Sequence, residues 1–208
     1  MSSDADHARL PVVIINGLGA PRVAAQLYGA LLQKRGFRVF AAEQRALGYG
    51  DIRANARRLR DDIERAREQS RAERVKLVGM SLGGIVGLWY LKHVDEGAVE
   101  RFVSIGGPLN GARLARAATL LKTRDEHALM QLAPGSGLLE EIGQAPTPER
   151  VRLYSVGTVG DVVTPRESWD HPEFEAIETP HGAFPIGHWL LFTHPGNHAV
   201  VAELLARP

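Results

Sequence analysis

Apolar runs typical of buried strands alternate along this chain with segments that carry a helical apolar repeat. The apolar runs lie at residues 12–15, 37–43, 74–79, 99–107, 151–157 and 174–179. Helical patterns lie at residues 21–34, 51–74, 81–94 and 197–207. Strands that alternate with helices form right-handed βαβ units, in which two layers of helices cover a parallel sheet. The order predicts an α/β protein with about six mostly parallel strands and helices on both faces.

Residues 108–150 interrupt this alternation, because about 40 residues pass there without a strand pattern. An insertion of that length in a compact domain is often a lid. The whole chain has 208 residues, which is enough for one sizeable domain and too few for two ordinary ones. We therefore expect a single domain over 1–208, with a short helical lid-like insertion at about 108–150.

Two of the helical segments have a clear apolar face. Val23, Leu27 and Leu31 share one face of the segment at 21–34. The segment at 51–74 has eight arginines, but six acidic residues balance them and its apolar residues repeat at helical spacing. That segment is therefore interpreted as an amphipathic helix with a solvated charged face.

The net charge of +1 likewise gives no reason to expect a nucleic-acid or acidic-membrane partner.

The absence of cysteine excludes disulfides, thiolate metal sites and a cysteine nucleophile. Residues 1–10 are polar and lack the apolar region of a signal peptide. No apolar run approaches the length that spans a bilayer, so stable membrane insertion is not expected. A cytoplasmic location is the expectation for the chain as given, unless a leader has been removed.

Ser81 lies between two glycines in GMSLGG, residues 79–84, where the third strand pattern gives way to a helix. A sharp strand-to-helix turn would lift the hydroxyl above the sheet edge, and Gly79 and Gly83 would avoid collisions with neighbouring backbone. The alternative is that Ser81 only caps the helix and the glycines serve close packing. The stretch lacks the glycine spacing and the lysine of phosphate-binding loops. Ser81 is therefore our candidate nucleophile.

A serine nucleophile needs a positioned base and an acid that orients it, in the chain order Ser, Asp or Glu, His. Asp161 follows the fifth strand pattern, at the end of the sheet where ligand sites of α/β proteins lie. It is the candidate acid, although an ordinary turn aspartate would look the same. His181 and His188 both lie between the last strand and the last helix. Position alone does not separate them as candidate bases.

His194 and His198 are four residues apart, a spacing that can place two metal ligands on one helix face. Pro195 and Gly196 are expected to break a helix between them, which favours two surface histidines near a helix end. We therefore predict no metal site.

Acyl transfer also needs hydrogen-bond donors aimed at the oxyanion. The backbone N–H of Leu82, directly after the candidate nucleophile, would be one donor. The loop after the first strand, with the sequence NGLGAP, has glycines that could turn the N–H of Leu18 inward as the second. A plain glycine turn is the alternative for this loop.

Taken together, these segments resemble the α/β-hydrolase superfamily, and more narrowly the bacterial triacylglycerol lipases and related lipid deacylases. The segments that carry the resemblance lie in the family's order, at residues 12–21, 75–91, 101–115, 129–142, 155–165 and 186–204. The resemblance implies a minimal α/β-hydrolase in which Ser81, Asp161 and His188 form the catalytic triad. It favours His188 over His181 because IGHWLLF is similar to the family's Gly-His-x-x-Leu-Leu segment.

Three positions depart from the family's pattern. Asn16 stands where the lipases have histidine in the oxyanion loop, and Gly107 and Asn110 alter a Thr-Pro-His motif after the fourth strand. The first departure could change how the oxyanion loop is held, and with it the role of Leu18.

The resemblance implies a serine hydrolase that cleaves carboxylic esters of apolar acyl groups through an acyl-enzyme, with a small-molecule ester as its partner and without a metal or organic cofactor. Acyl transfer or thioester cleavage on the same triad is an alternative, and so is a catalytically idle protein that binds a lipid or a partner. The insertion segments at 120–132 and 137–142 could line an acyl pocket, or they could simply pack on the domain.

Overall fold

A six-stranded parallel sheet organises the molecule, whose computed structural model describes residues 10–113, 115 and 127–207. The strands are β1 (Val12–Ile15), β2 (Val39–Ala41), β3 (Val75–Met80), β4 (Val99–Ile105), β5 (Arg152–Thr158) and β6 (Glu175–Thr179). Their order across the sheet is β2-β1-β3-β4-β5-β6, and each neighbouring pair is parallel. The sequence-based prediction of a six-stranded parallel sheet is therefore confirmed.

Helices cover both faces of the sheet. They are α1 (Arg22–Gln33), α2 (Ile52–Ser70), α3 (Leu82–His93), α4 (Ala128–Gln131), α5 (Gly137–Gln144), α6 (Arg166–Trp169), α7 (Gly187–Thr193) and α8 (Pro195–Ala206). The buried side chains of α2, α3 and α5 belong to one hydrophobic cluster, and those of α1, α7 and α8 belong to the other.

Alternate residues of the central strands supply the two clusters. Val13 and Leu77 point into the cluster under α2 and α3, whereas Ile14 and Val78 point into the cluster under α1 and α8. A strand that is buried on both faces needs apolar residues at consecutive positions. This explains why the strands read as continuous apolar runs in the sequence.

Helix α1 packs on the sheet with one face, and its most apolar residues form a different face. Leu27 is 67% exposed and Val23 is 51% exposed, while Ala25 and Leu32 are fully buried against the sheet. Val23, Leu27 and Leu31 do share one face of α1, as the sequence indicates. That face does not pack on the sheet.

Several boundaries differ from the sequence-based expectations. Strand β2 is shorter than the apolar run at 37–43 suggested. The expected break between His194 and His198 lies one residue earlier than Pro195, because His194 ends α7 and is the N-cap of α8, and α8 begins at Pro195. Proline is well suited to the first helical position, where its missing N–H has no intrahelical partner to lose.

The predicted lid-like insertion is described only in part, because residue 114 and residues 116–126 lie outside the described residues. In the described part, Leu138 and Ile142 of α5 are buried in the cluster under α2 and α3. Arg53 of α2 forms a two-pronged hydrogen-bonded ion pair with Glu141 of α5, at 2.7 and 2.8 Å.

In the described part of the chain, no helix is long and apolar enough to cross a membrane.

Candidate active site

Ser81 lies between the last residue of β3 and the first residue of α3, with φ of 50° and ψ of −120°. This region of backbone conformation is sparsely populated by residues with a side chain, and its strain costs about 1–3 kcal/mol. The side chain of Ser81 makes no hydrogen bond that caps α3. The interpretation of Ser81 as a simple helix cap therefore does not describe its geometry.

The glycines on either side of Ser81 are required by close backbone contacts. A Cβ atom on Gly79 would lie 2.5 Å from the carbonyl oxygen of Gly83. A Cβ atom on Gly83 would lie 2.5 Å from the carbonyl oxygen of Ile15. Both distances are shorter than van der Waals contact, so the turn that exposes the Ser81 hydroxyl tolerates only glycine at these positions.

His188 lies at the start of α7 and connects Ser81 to Asp161. Its Nε2 atom is 3.0 Å from Ser81 Oγ, and its Nδ1 atom is 2.8 Å from Asp161 Oδ2. The Asp161 side chain is fully buried and that of His188 is 9% exposed. Three residues that are far apart in the sequence thus form one continuous hydrogen-bonded chain at the carboxyl edge of the sheet.

Thr164 donates hydrogen bonds to the Asp161 carboxylate. Its hydroxyl donates to Asp161 Oδ2 at 2.8 Å and lies 3.2 Å from His188 Nδ1, and the backbone N–H groups of Val163 and Thr164 donate to Asp161 Oδ1. Burial acts to raise the pKa of the Asp161 carboxyl, but the hydrogen bonds and charge of His188 and the donors from Thr164 outweigh it. The net pKa is therefore below the ordinary value for aspartate, which favours the ionised form.

The other histidines near the end of the chain have different surroundings. The His181 ring stacks on His194 with centroids 4.5 Å apart, while it is His188 that reaches Ser81. His194 Nδ1 accepts a hydrogen bond from the N–H of Gly196, and His198 Nε2 lies 2.6 Å from the carbonyl oxygen of Phe192. Within residues 10–113, 115 and 127–207, no group of three or more potential ligands is arranged to hold a metal ion.

The loop after β1 packs directly on Ser81. A Cβ atom on Gly17 would lie 3.1 Å from Ser81 Cβ and 3.6 Å from Ser81 Oγ. Leu18 is the next residue and lines the same cavity as Ser81. Leu82 is the first residue of α3, so its N–H belongs to the helix-end donors that have no intrahelical acceptor. Both candidate oxyanion donors therefore belong to segments that adjoin the Ser81 hydroxyl.

Asn16 and Asn110, two of the departures from the lipase pattern, both hold loops of the site. Asn16 Nδ2 donates to the carbonyl of Pro21 at 2.8 Å and so links the two ends of the loop that carries Leu18. Asn110 Nδ2 donates to the carbonyls of Glu167 and Asp170, which fixes the loop after β4 to α6.

Two residues near the site were not singled out from the sequence. Thr164 follows Asp161 by three residues, and an aspartate that accepts backbone N–H groups two and three residues on is a common turn signal. That signal predicts the turn but not the bond from the Thr164 hydroxyl. Gly106 has φ of 55°, and a Cβ atom there would lie 3.3 Å from His188 Cε1. No local pattern indicates that this glycine adjoins the imidazole.

A cavity of about 540 Å³ opens beside Ser81 and His188. Its volume is within the range of about 300–1,000 Å³ that is usual for small-molecule sites. Most of its walls are apolar side chains of α1 and α7, and the loop after β1 forms its rim. The hydroxyl of Ser81 therefore faces a space that would favour an apolar ligand.

The chain belongs to the alpha/beta hydrolase fold family, whose sequence model matches residues 11–150. That match includes β1 to β4, the loop with Leu18 and the turn with Ser81. None of the curated proteins matches the chain in sequence.

Several solved structures share the fold. The lipase BlEst2 of Bacillus licheniformis, in its mature form, has a TM-score of 0.76 at 18% identity, covering 95% of this chain and 92% of that one. Lipase B of Aspergillus fumigatus has a TM-score of 0.76 at 14% identity, covering 100% of this chain and 55% of that one. The esterase EaEST of Exiguobacterium antarcticum has a TM-score of 0.62 at 16% identity, covering 96% of this chain and 93% of that one. At these identities, the similarity shows the fold alone.

Proposed function

We propose that this protein is a serine hydrolase that cleaves carboxylic esters of apolar acyl groups through an acyl-enzyme on Ser81. The observation that carries the proposal is the hydrogen-bonded chain from Ser81 through His188 to Asp161, at 3.0 and 2.8 Å. A serine hydroxyl is a weak nucleophile at neutral pH, and such a chain supplies the base that it lacks.

In the proposed reaction, His188 Nε2 accepts the hydroxyl proton as Ser81 Oγ attacks the ester carbonyl carbon. The carbonyl oxygen becomes an oxyanion, which accepts hydrogen bonds from the N–H groups of Leu18 and Leu82. The tetrahedral intermediate collapses, and His188 returns the proton to the alcohol that leaves. Water then attacks the acyl-enzyme in the same way, releases the carboxylic acid and restores Ser81.

Asp161 holds the imidazole in the tautomer that presents a bare Nε2 to Ser81, and it stabilises the imidazolium that forms. Its lowered pKa keeps it ionised for this role. Thr164 is a positioning residue, because its hydroxyl donates to the Asp161 oxygen that faces His188.

The choice of ester as the substrate class rests on two supports. The cavity beside Ser81 has mainly apolar walls, which suit an acyl chain. The structures that share the fold include two lipases and an esterase.

An active-site-directed fluorophosphonate tests the nucleophile. We expect the wild-type protein to be labelled and Ser81→Ala to be unlabelled. Ser136→Ala is a matched control, because Ser136 caps α5 away from the cavity, and it should be labelled like the wild type. A wild-type protein that is folded but takes no label would support the idle binding protein instead.

A panel of p-nitrophenyl esters from acetate to palmitate, with matched acyl thioesters, tests the reaction. Faster hydrolysis of the oxygen esters supports the proposal. A clear preference for thioesters, or transfer of the acyl group to an added alcohol in place of hydrolysis, would replace it with one of the alternatives on the same three residues.

A further inference from the structure

We propose that the acyl chain of the substrate lies in a groove between α1 and α7, with room for about eight carbons. We call this the acyl groove and define it by Ala24, Leu27 and Leu31 of α1 and by Trp189 and Phe192 of α7. The proposal rests on the proposed function, because Ser81 and His188 line the same cavity and would hold the ester group at its inner end.

Helix α1 has a second apolar face, and this face lines the groove. Ala24, Leu27, Tyr28 and Leu31 have the spacing of one helix face, and all four line the cavity. Leu27 is 67% exposed and Leu31 is 36% exposed. Because Ala25 and Leu32 supply the contact of α1 with the sheet, Leu27 and Leu31 remain available to a ligand.

Helix α7 forms the opposite wall and begins at the catalytic imidazole. The Phe192 and His188 rings meet edge to face with centroids 5.2 Å apart, and the Trp189 ring meets the same imidazole edge to face with centroids 6.1 Å apart. Trp189 is 58% exposed. An acyl group bonded to Ser81 would therefore meet aromatic surface next to the base that acts on it.

The direction of α1 gives the groove its length. Helix α1 follows β1 of the parallel sheet, so it begins at the carboxyl edge near Ser81 and runs away from that edge. Ala24 and Leu31 are seven residues apart, which corresponds to about 10 Å along a helix. An extended chain advances about 1.25 Å per carbon, so this distance holds about eight carbons.

The base of the groove is closed by a contact between α1 and α8. The rings of Tyr28 and His198 meet edge to face with centroids 4.8 Å apart, and both are more than nine-tenths buried. In contrast, none of the described residues of the insertion at 108–150 lines this cavity. The acyl chain is therefore assigned to the side of the sheet opposite to the one on which α5 packs.

A graded set of tryptophan substitutions tests the assignment. We would measure kcat/KM for p-nitrophenyl esters of two to twelve acyl carbons in the wild type, Ala24→Trp, Leu31→Trp and Gln26→Trp. For the wild type we expect a rise of up to about fourfold per enclosed methylene, ending near eight carbons. In Leu31→Trp the rise in kcat/KM should end at a shorter acyl chain. Ala24→Trp should hydrolyse only the shortest esters efficiently.

Gln26→Trp is the matched control, because Gln26 is an exposed residue of α1 that lies outside the face of Val23, Leu27 and Leu31 and does not line the cavity. It should follow the wild-type profile. Leu27→Ala adds no bulk and changes an exposed residue, so it provides a second test without a risk to folding. It should lower kcat/KM for the octanoate ester by several-fold more than kcat/KM for the acetate ester. The assignment would be overturned if Ala24→Trp, Leu31→Trp and Leu27→Ala all showed the wild-type dependence of kcat/KM on acyl chain length.

A binding measurement separates this proposal from the proposed function. Titration calorimetry of octanoate into Ser81→Ala, and into Ser81→Ala with Ala24→Trp, needs no catalysis. Binding to the first protein and a loss of at least tenfold in affinity in the second would support the groove even if no ester were cleaved. Equal affinity in both would reject the groove even if esters were cleaved.

Discussion

Helices α1 and α2 follow adjacent strands of the same sheet, yet they use their apolar residues in opposite ways. In α2, the stripe of Ile52, Ala56, Leu59 and Ile63 is at most 2% exposed, so these residues serve the core alone. In α1, Leu27 remains two-thirds exposed beside the candidate active site.

Under the proposed acyl groove, α2 mainly stabilises the fold, whereas α1 also contributes a wall of the ligand site. Burying an aliphatic side chain contributes about 1.5–3 kcal/mol, and Leu27 forgoes most of that gain. Apolar surface left open next to a reactive group is typical of a binding site. Stability and activity should therefore respond differently to mutations in the buried stripe of α2 and on the open face of α1, and the expectations below run from the largest effect to the smallest.

Ser81→Ala should give the largest change, and it should be confined to activity. We expect kcat for ester hydrolysis to fall by at least about 10⁴-fold, because the nucleophile is removed. The thermal unfolding midpoint should not fall, because Ser81 makes no capping bond. Steady-state kinetics and a melting curve on the same sample check both parts. Hydrolysis that persists at the wild-type rate would place the nucleophile elsewhere.

Ile63→Ala should lower stability and leave activity nearly unchanged, which is the reverse of Ser81→Ala. The Ile63 side chain is fully buried under α2, so its truncation should lower the free energy of unfolding by about 2–5 kcal/mol. Below the melting range, kcat should stay near the wild-type value. Leu27→Ala is the counterpart on α1 and should change the free energy of unfolding by less than about 0.5 kcal/mol. Urea unfolding compares the two variants, and equal losses of stability would remove the contrast between the helices.

Thr164→Val should have an intermediate effect on catalysis. The substitution keeps the volume but removes a hydrogen bond to a buried carboxylate, worth about 1.5–3 kcal/mol. We expect kcat to fall by about 10- to 100-fold with little change in KM, because Thr164 does not line the cavity. Thr164→Ser retains the hydroxyl and should restore most of kcat. A rise in KM at constant kcat would contradict a role in positioning Asp161.

The smallest expected effect is the pH dependence that Asp161 contributes to stability, because burial and hydrogen bonding partly cancel. Its pKa is lowered in the folded state, so its contribution is fully present above the unfolded pKa of about 3.9 and is lost as pH falls through the folded pKa. Urea unfolding between pH 7 and pH 3 should show a shallower loss of stability in Asp161→Asn than in the wild type. Identical slopes would contradict the lowered pKa.

Much of the site geometry was predictable because parallel strands bring their carboxyl ends to one edge. Ser81 and Asp161 each follow such a strand, so the order of elements places both residues at that edge. The choice between His181 and His188 did not follow, because both occupy the same connection. The resemblance favoured His188, and it is His188 that lies 3.0 Å from Ser81 Oγ. The catalytic roles of these residues stay predictions until the nucleophile is tested.

The apolar face of α1 shows where reading the sequence reaches its limit. Helical periodicity identifies the side chains that share a face, but it does not identify what that face meets. The same spacing describes the buried stripe of α2 and the open wall formed by Leu27 and Leu31.

The sequence by itself determined the α/β architecture, the glycine-flanked turn at Ser81 and the order of the candidate triad, since these depend on local backbone preference and on the alternation of strands with helices. Only the tertiary structure decided that Thr164 bonds to Asp161, that Gly106 adjoins His188 and that α1 leaves an apolar face open. The physical reason is that these features depend on the distances between elements far apart in the chain, and no local pattern encodes those distances.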